Sequence, residues 1–422
     1  MSTQAATAGY AELRRALESS FRLHRPRTDL EAHTGVPVEV LTYEFTSAHW
    51  QIHPAEHNAN TDPAFRALVA EYIDACPYSQ RNFFHSLQPA DRDVPENLRF
   101  RYAIFSPKGH GDRFGGATVL LHGLNEKSWH KYLAWAVRLV EETGRPVILF
   151  PLAFHMNRAP SPWSNAREMI GVSRERRKLF PGIEASSFVN AALSHRVQFA
   201  PHRFLTSGLQ SYYDVTDLAR GIRAGTHDLF AEGARVDFFG YSIGASLVEL
   251  LLFADTAGLF AESRAFLFCG GSVMDRTNPV SKAIMDGEAH RGLQRFLAQL
   301  VSDTRSAIPL SVAAIEAGRR EVEVARSLLF IDKLRSVRER AMNAVGSRIS
   351  VLGMLKDRVF PPSGIEESWT TADGSKLADI SVADPAYGYS HERPFPLDAD
   401  QAGEVDRFLT EVTSRAGEHL AG

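Results

Sequence analysis

The residues around Ser242 have the types and spacing needed for nucleophilic chemistry. The run Gly240-Tyr241-Ser242-Ile243-Gly244 lies between two apolar segments, so it predicts a strand, a sharp turn and a helix, with the serine at the apex of the turn. Such a turn strains the serine backbone and exposes its hydroxyl. The strand and helix then approach closely two residues before and after the serine, where only glycine-sized residues fit. The alternative is an ordinary strand-turn-helix connection in which the serine has no catalytic role.

A serine hydroxyl is a weak nucleophile at neutral pH and needs a base, which in turn needs a carboxylate to orient it. Of the sixteen histidines, only His391 and His419 follow the apolar run that leads to Asp357. His391 lies in a predicted loop and His419 near the end of the last helix, so we predict His391 as the base, with a surface loop histidine as the alternative. Asp357 is predicted as the acid. Two alternatives stay open. Asp275, which follows the preceding strand, could be the acid, and Asp357 could be a helix N-cap.

Attack on a carbonyl group creates negative charge on oxygen, which two backbone N–H groups should stabilise. One is predicted to be that of Ile243, at the start of the helix after the serine. The other is predicted to be that of Leu124, in a loop that follows an apolar strand. We also predict that the side chains of Tyr241, His122 and His155 contact the substrate. For His122, a structural role is favoured over a catalytic one.

The elements that must position these groups alternate between strand and helix. This alternation with short connections predicts an α/β fold with a mostly parallel central sheet and helices on both faces. The predicted strands are 97–105, 117–121, 147–150, 235–239, 265–269, 349–354 and 377–382, and the predicted helices include 129–142, 211–224 and 398–420.

The order of elements also predicts the domain organisation. Residues 1–95 are interpreted as an N-terminal extension packed on the core, with helical spacing at 10–23 and 64–75 and a strand at 38–45. Residues 96–422 form the main domain. Two partly helical insertions, at about 153–207 and 272–346, leave from strand ends on the side of Ser242, which predicts a cap over the site. The second insertion is rich in Ala, Leu and Val, so a partly apolar pocket is expected.

Composition excludes several classes of protein. The 422 residues are 44% hydrophobic and 23% charged, with a net charge of −3, so nothing indicates nucleic-acid or membrane partners. No signal peptide and no run of 18 apolar residues are present, and we predict a cytoplasmic location. The two cysteines, Cys76 and Cys269, are predicted to be buried without a disulfide framework.

Two further patterns could bind ligands. His49, His53 and His57 are spaced by four, but Pro54 interrupts any helix there and no carboxylate or cysteine set accompanies them, so no metal site is predicted. The basic run 174–178 is interpreted as a solvated helix face, with binding of an anionic substrate tail as the alternative. No cofactor is predicted.

The ordered set His122-Gly123, Gly240-Tyr241-Ser242-Ile243-Gly244, Asp357 and His391 resembles the α/β-hydrolase superfamily over about residues 98–420. The resemblance implies the fold, with the serine as nucleophile, the aspartate as acid and the later histidine as base. It does not fix the reaction. We predict an enzyme of the carboxylic ester hydrolase type that cleaves an ester, thioester or related acyl bond in a small-molecule substrate. Acyl transfer, C–C hydrolysis and a non-catalytic binding protein are the alternatives, and the oligomeric state is left open.

Overall fold

One mixed β-sheet organises the part of the chain that the computed structural model describes, which is residues 9–54, 67, 71, 87, 90–302, 319–397 and 399–422. The strands lie in the order β1-β2-β3-β5-β4-β6-β7-β8-β9. These strands are β1 (Arg27–Asp29), β2 (Val38–Thr46), β3 (Arg99–Pro107), β4 (Phe114–Leu121), β5 (Val147–Leu149), β6 (Phe230–Tyr241), β7 (Ala265–Phe268), β8 (Ile349–Met354) and β9 (Asp379–Ala383).

Strand direction separates the sheet into two parts. Strands β1, β2 and β3 pair antiparallel, and β3 also pairs antiparallel with β5. From β5 through β4, β6, β7 and β8 to β9, every pairing is parallel. The exchanged positions of β4 and β5, next to one antiparallel region, give the topology of the α/β-hydrolase fold that the resemblance implied.

Helices cover both faces of the sheet. The described helices are α1 (Tyr10–Ser20), α2 (Glu31–Thr34), α3 (Pro95–Leu98), α4 (His130–Thr143), α5 (Ala166–Leu179), α6 (Ala191–Phe199), α7 (His202–Arg223), α8 (Ile243–Phe253), α9 (Gly287–Ser302), α10 (Arg320–Ser327), α11 (Arg335–Val345), α12 (Pro362–Ser368) and α13 (Ala402–Ala421). Helices α1, α4 and α13 pack on one face, and α7, α8, α10 and α11 contribute to the core on the other.

Side chains of β6 point alternately into the hydrophobic cores on the two faces of the sheet. Val236 and Phe238 lie in the core beneath α7 and α8, whereas Phe239 and Tyr241 lie in the core beneath α4 and α13. Successive residues of a strand point to opposite faces, and a parallel strand covered on both sides is apolar throughout. The continuous apolar run before Ser242 therefore fits a central strand of the sheet.

The two insertions pack against each other. Helix α6 of the first insertion contacts α9 of the second. Arg176, on α5, is buried and donates two hydrogen bonds to the carboxylate of Asp286, at 2.7 and 2.8 Å. The interpretation of 174–178 as a solvated face is therefore wrong at this position, because the ion pair joins the two insertions. The side chains at 174, 177 and 178 are exposed.

Several boundaries differ from those predicted. Helix α7 begins at His202, nine residues before the predicted start, because Gly208 is accommodated inside it. The predicted end of the first insertion, 207, therefore falls within α7. Apart from residues 67 and 71, the predicted helix at 64–75 lies outside the described residues, as do Cys76 and His57. Cys269 is buried as a free thiol. None of the described helices combines the length and the apolar character that crossing a membrane requires.

Candidate active site

The turn between β6 and α8 holds Ser242 in a strained conformation. Its backbone angles are φ 58° and ψ −126°, in a region that non-glycine residues rarely adopt. A Cβ atom at Gly244 would lie 2.3 Å from the carbonyl oxygen of Leu121, and one at Gly240 would lie 2.7 Å from Cα of Ala245. Both distances are shorter than any van der Waals contact. The requirement for glycine at these two positions is therefore confirmed.

The structure brings together the serine, histidine and aspartate predicted from the sequence. His391 Nε2 lies 2.8 Å from Ser242 Oγ, and His391 Nδ1 lies 2.8 Å from Asp357 Oδ2. All three residues are buried. The other carboxylate oxygen of Asp357 accepts hydrogen bonds from the backbone N–H groups of Val359 and Phe360, at 2.8 and 2.9 Å. The carboxylate is thus held on one side by the backbone and faces the imidazole on the other.

The two alternatives for the acid are resolved by contacts. Asp275 accepts a hydrogen bond from the Ile331 N–H at 3.2 Å and forms an ion pair with Arg276, so its carboxylate is bound away from His391. The helix that follows Asp357 is α12, and its N-cap is Pro361. Asp357 is therefore the carboxylate beside the imidazole and is not a helix cap.

Two aromatic rings stack on the His391 imidazole. The Tyr241 ring stacks on it with 5.5 Å between centroids, and the Phe360 ring stacks at 5.6 Å, with interplanar angles of 18° and 19°. The Tyr241 hydroxyl donates a hydrogen bond to the backbone carbonyl of His391. Burial raises the pKa of Tyr241 well above its usual value, so the phenol stays a donor. Its hydroxyl is engaged by the protein and positions the His391 loop. The residue also lines the cavity that contains Ser242, and its substrate contact stays a prediction.

The loop after β4 is fixed by its own hydrogen bonds. His122 is fully buried, with Nδ1 2.9 Å from the Gly123 carbonyl and Nε2 accepting from the Leu152 N–H at 3.0 Å. Burial lowers the pKa of His122 to about 3, so the ring is neutral. Both ring nitrogens are used, and this arrangement replaces the predicted substrate contact of His122 with a role in holding the loop.

The same loop also presents the backbone N–H group of Leu124, which has no hydrogen-bond partner within the described ranges. The neighbouring Gly123 N–H, in contrast, donates to the Tyr132 hydroxyl at 3.0 Å. In the described part of the chain, the N–H groups of Leu124 and Ile243 donate to no other group. These are the two N–H groups predicted from the sequence. Ile243 directly follows Ser242, and Leu124 lines the same cavity as Ser242.

An apolar cavity of about 120 Å³ opens beside Ile243. Helices α7, α8, α9 and α10 all contribute to its wall, so both the core and the second insertion shape it. Its side chains are mostly aliphatic or aromatic and include Leu124, Phe204, Leu205, Leu247, Leu250, Leu297, Ala325, Leu328 and Leu329.

His155 supplies a polar atom at this apolar cavity, as the sequence predicted for a pocket-lining residue. Its Nδ1 lies 2.8 Å from the Ala153 carbonyl, while Nε2 is buried and has no hydrogen-bond partner among the described residues. Burial lowers the pKa of His155 to about 3. The ring is therefore neutral, and with Nδ1–H donating to the carbonyl, Nε2 is left as an acceptor.

A second, polar cavity of about 440 Å³ lies on the other side of the serine. Ser242 and His391 both line it, and Lys131 closes one wall with its ammonium 4.5 Å from the centre of the Tyr241 ring. The charged side chains that line it are Arg14, Glu126, Lys127, Lys131, Glu392 and Arg393.

The histidines spaced by four near the N-terminus bind protein groups. His49 Nε2 lies 2.6 Å from Asp217 Oδ2, and His53 Nε2 lies 2.7 Å from Gln210 Oε1. Among the residues that the structure describes, no three metal-ligating side chains converge.

Comparison with known proteins assigns the chain to a family. Residues 8–421 match the model of a family of unknown function, DUF6051. The chain belongs to the DUF6051 family. No curated protein matches the sequence.

Among solved structures, this DUF6051 protein is similar to several hydrolases. A puromycin-hydrolyzing peptidase of Mycobacterium tuberculosis is 16% identical with a TM-score of 0.36, covering 76% of this chain and 37% of that one. Carboxyl esterase 2 of Tuber melanosporum is 10% identical with a TM-score of 0.39, covering 76% and 81%. A Pyrobaculum calidifontis esterase is 12% identical with a TM-score of 0.37, covering 87% and 97%. Because these TM-scores are below 0.5, the fold assignment rests on the strand order.

Sequence reasoning missed two features of the DUF6051 site. Phe360 and Tyr241 both stack on the imidazole although they lie in different parts of the chain, and neither carries a sequence signal for that contact. Lys127 lines the polar cavity from the loop after β4. Its position three residues beyond the predicted donor Leu124, at the carboxyl end of a strand, was a usable signal, because ligands bind at that edge of a parallel sheet.

Proposed function

We propose that this DUF6051 protein is a serine hydrolase that cleaves an ester, thioester or related acyl bond. The observation that carries the proposal is the hydrogen-bonded row from Ser242 Oγ through His391 to Asp357, with 2.8 Å at each step. A serine fixed in a strained turn, a base at its hydroxyl and a carboxylate behind the base supply what acyl transfer to serine requires.

The geometry supports the following order of events. His391 Nε2 accepts the Ser242 proton as Oγ attacks the substrate carbonyl carbon. The oxygen that gains negative charge receives hydrogen bonds from the Leu124 and Ile243 N–H groups. His391 then protonates the leaving group, and the acyl group stays on the serine until an activated water molecule releases it. Asp357 keeps the His391 proton on Nδ1 and stabilises the charged ring.

We assign the two halves of the substrate to the two cavities. The leaving group must lie close to His391, which protonates it, and the polar cavity is lined by His391. The acyl chain then extends into the apolar cavity beside Ile243. The two insertions act as a cap that excludes water and sets specificity. A cytoplasmic location stays a prediction from the sequence.

Replacement of the nucleophile tests the proposal. Turnover of 4-nitrophenyl esters by Ser242→Ala should fall by several orders of magnitude, roughly 10⁴- to 10⁶-fold, while the thermal transition stays close to that of the wild type. Ser19→Ala, at an exposed serine of α1, is the matched control and should keep full activity. Near-normal hydrolysis by Ser242→Ala would show that the assignment is wrong. Product analysis with added alcohols or amines separates hydrolysis from acyl transfer.

A further inference from the structure

The polar cavity beside Ser242 carries an excess of positive charge. Four side chains that line it are cationic at neutral pH and two are anionic. The cations are Arg14, Lys127, Lys131 and Arg393, and the anions are Glu126 and Glu392. A concave surface with this balance attracts anions, because its walls of low dielectric constant focus the potential.

Two of the four cations are already paired within the protein. The Lys131 ammonium forms an ion pair with Glu126, and Arg14 forms one with Glu18 at 2.7 Å. Lys127 and Arg393 have no carboxylate within ion-pair distance in the described part of the chain. Arg393 is exposed and Lys127 is half-buried. The positive charge available to a ligand therefore comes from these two side chains.

The carboxylates of the cavity are bound by other protein groups. Glu126 accepts hydrogen bonds from Lys131 and from the Tyr132 hydroxyl, the latter at 3.0 Å. Burial would raise the pKa of Glu392, but hydrogen bonds with Ser281 and Ser390, together with His391, lower it overall. In the described part of the chain, neither carboxylate forms an ion pair with Lys127, although Glu126 is close enough to attract it.

Lys127 is in an environment that disfavours its charge. Burial lowers its pKa from 10.5 to about 8, opposed only by the attraction of Glu126. An ammonium group that is largely removed from water and has no ion-pair partner destabilises the folded state. Lys127 also lines a small adjoining cavity in which Arg196 and Arg203 both pair with Asp91. The fold thus holds a free ammonium group against an already basic region, next to the nucleophile.

We propose that the polar cavity binds an oxyanion, a carboxylate or phosphate group, on the leaving group of the substrate, and that Lys127 and Arg393 are the residues that hold it. The inference rests on the proposed function, since the leaving group is placed in this cavity by its protonation from His391. The substrate class is then an ester or thioester that joins an apolar acyl chain to an anionic alcohol or thiol.

Two chromogenic esters test the inference. They are the hexanoyl esters of 4-nitrophenol and of 3-carboxy-4-nitrophenol, which differ by one carboxylate on the leaving group. The wild type should favour the anionic ester, and the ratio of the two kcat/KM values should fall by about ten-fold in Lys127→Met and in Arg393→Gln. Lys127→Arg should restore the ratio. Lys376→Met, at an exposed lysine that lines neither substrate cavity, is the matched control and should leave the ratio unchanged.

The pH dependence gives a second readout. Lys127 is charged below a pKa of about 8, so the preference for the anionic ester should be greatest at pH 7 and should fall as the pH rises through 8, to the part that Arg393 supplies. The neutral ester is the reference at each pH, because both esters depend on the same base. The charged and titratable groups that line the two cavities of Lys127 are Arg14, Asp91, Glu126, His130, Lys131, His155, Arg196, Arg203, Tyr241, His391, Glu392 and Arg393.

Protection of Ser242 from a fluorophosphonate probe measures binding without turnover. The competitors 3-hydroxybenzoate and 3-hydroxyphenyl phosphate distinguish the carboxylate from the phosphate, with phenol as the neutral control. At least one anion should protect more strongly than phenol in the wild type and lose that advantage in Lys127→Met. Lys127→Met should also raise the Tm, whereas a purely structural lysine would give a lower Tm.

The outcomes separate the two proposals. Equal use of both esters, or a preference for the anionic ester that survives Lys127→Met, would overturn the oxyanion site and leave the serine hydrolase intact. If the probe does not label Ser242 and no ester is cleaved, the proposed function fails, and the oxyanion site fails with it.

Discussion

The phenol of Tyr241 donates a hydrogen bond to the backbone carbonyl of His391, 150 positions further along the chain. The residue immediately before the nucleophile therefore anchors the loop that carries the base. The two rings also stack, so the position of the imidazole relative to Ser242 Oγ is coupled to the end of β6. The turn that exposes the serine and the loop that presents the histidine behave as one unit.

Loss of the Tyr241 hydroxyl should reduce kcat strongly and leave the protein folded. Tyr241→Phe leaves the stacked ring but removes the donor, and the buried carbonyl then loses its partner at a cost of about 1–3 kcal/mol. Since a small displacement of a catalytic group lowers the rate strongly, we expect kcat to fall roughly 10- to 100-fold with a folded protein. Steady-state kinetics and thermal unfolding measure the two effects. Tyr102→Phe is the control, because its hydroxyl lies 3.0 Å from His227 Nε2 and neither residue lines a substrate cavity. Unchanged kcat in Tyr241→Phe would refute the coupling.

A buried glutamate on the helix of the nucleophile should make stability depend on pH. Glu249 lies on α8 and is 1% exposed, and burial raises its pKa from 4.5 to about 8, against the attraction of Arg338. The native state then binds more protons than the unfolded state between these two values, so Glu249 lowers stability as the pH rises from 4.5 to 8.

Glu249→Gln should remove this dependence. Relative to the wild type, its free energy of unfolding should increase from pH 5 to pH 8, on the order of 1–3 kcal/mol. Urea titrations at several pH values measure the difference, with Glu411→Gln at an exposed position of α13 as the control. A constant difference across this range would contradict the prediction.

The apolar cavity should make turnover depend on the acyl chain. Each methylene group that enters it removes apolar surface from water, worth about 0.8 kcal/mol or roughly four-fold in kcat/KM. We expect kcat/KM for 4-nitrophenyl esters to rise from acetyl to a medium chain and then level off. Ala325, on α10, lines the cavity, so Ala325→Phe should move the optimum to shorter chains. A flat or falling profile in the wild type would count against acyl binding in this cavity.

Local sequence was sufficient to predict the elements and the order of the reactive groups. The apolar run before Ser242, the two glycines beside it and the strand leading to Asp357 each specify structure over a few residues, and the fold keeps them. The choice between Asp357 and Asp275 followed from chain order, and the contacts agree with it. The early start of α7 was not predicted because Gly208, a poor helix former, indicates the end of a helix. In the structure, packing of the other residues of α7 stabilises the helix through this position.

The side-chain contacts that complete the site could not be predicted in this way. Whether Tyr241 contacts substrate or protein depends on where a loop 150 residues away returns to the sheet. Arg176 looked like part of a solvated basic run, and only the packing of one insertion on the other places Asp286 beside it. Such contacts join segments that are distant in sequence, so spacing and composition do not specify them.

The most direct test of the central claim is the mass of the intact protein after treatment with a fluorophosphonate probe. The arrangement of Ser242, His391 and Asp357 predicts one adduct per chain in the wild type, located on the peptide that contains Ser242, and none in Ser242→Ala. His391→Ala should react far more slowly, because the base is gone. An adduct on another residue, or a folded wild-type protein that does not react, would contradict the account.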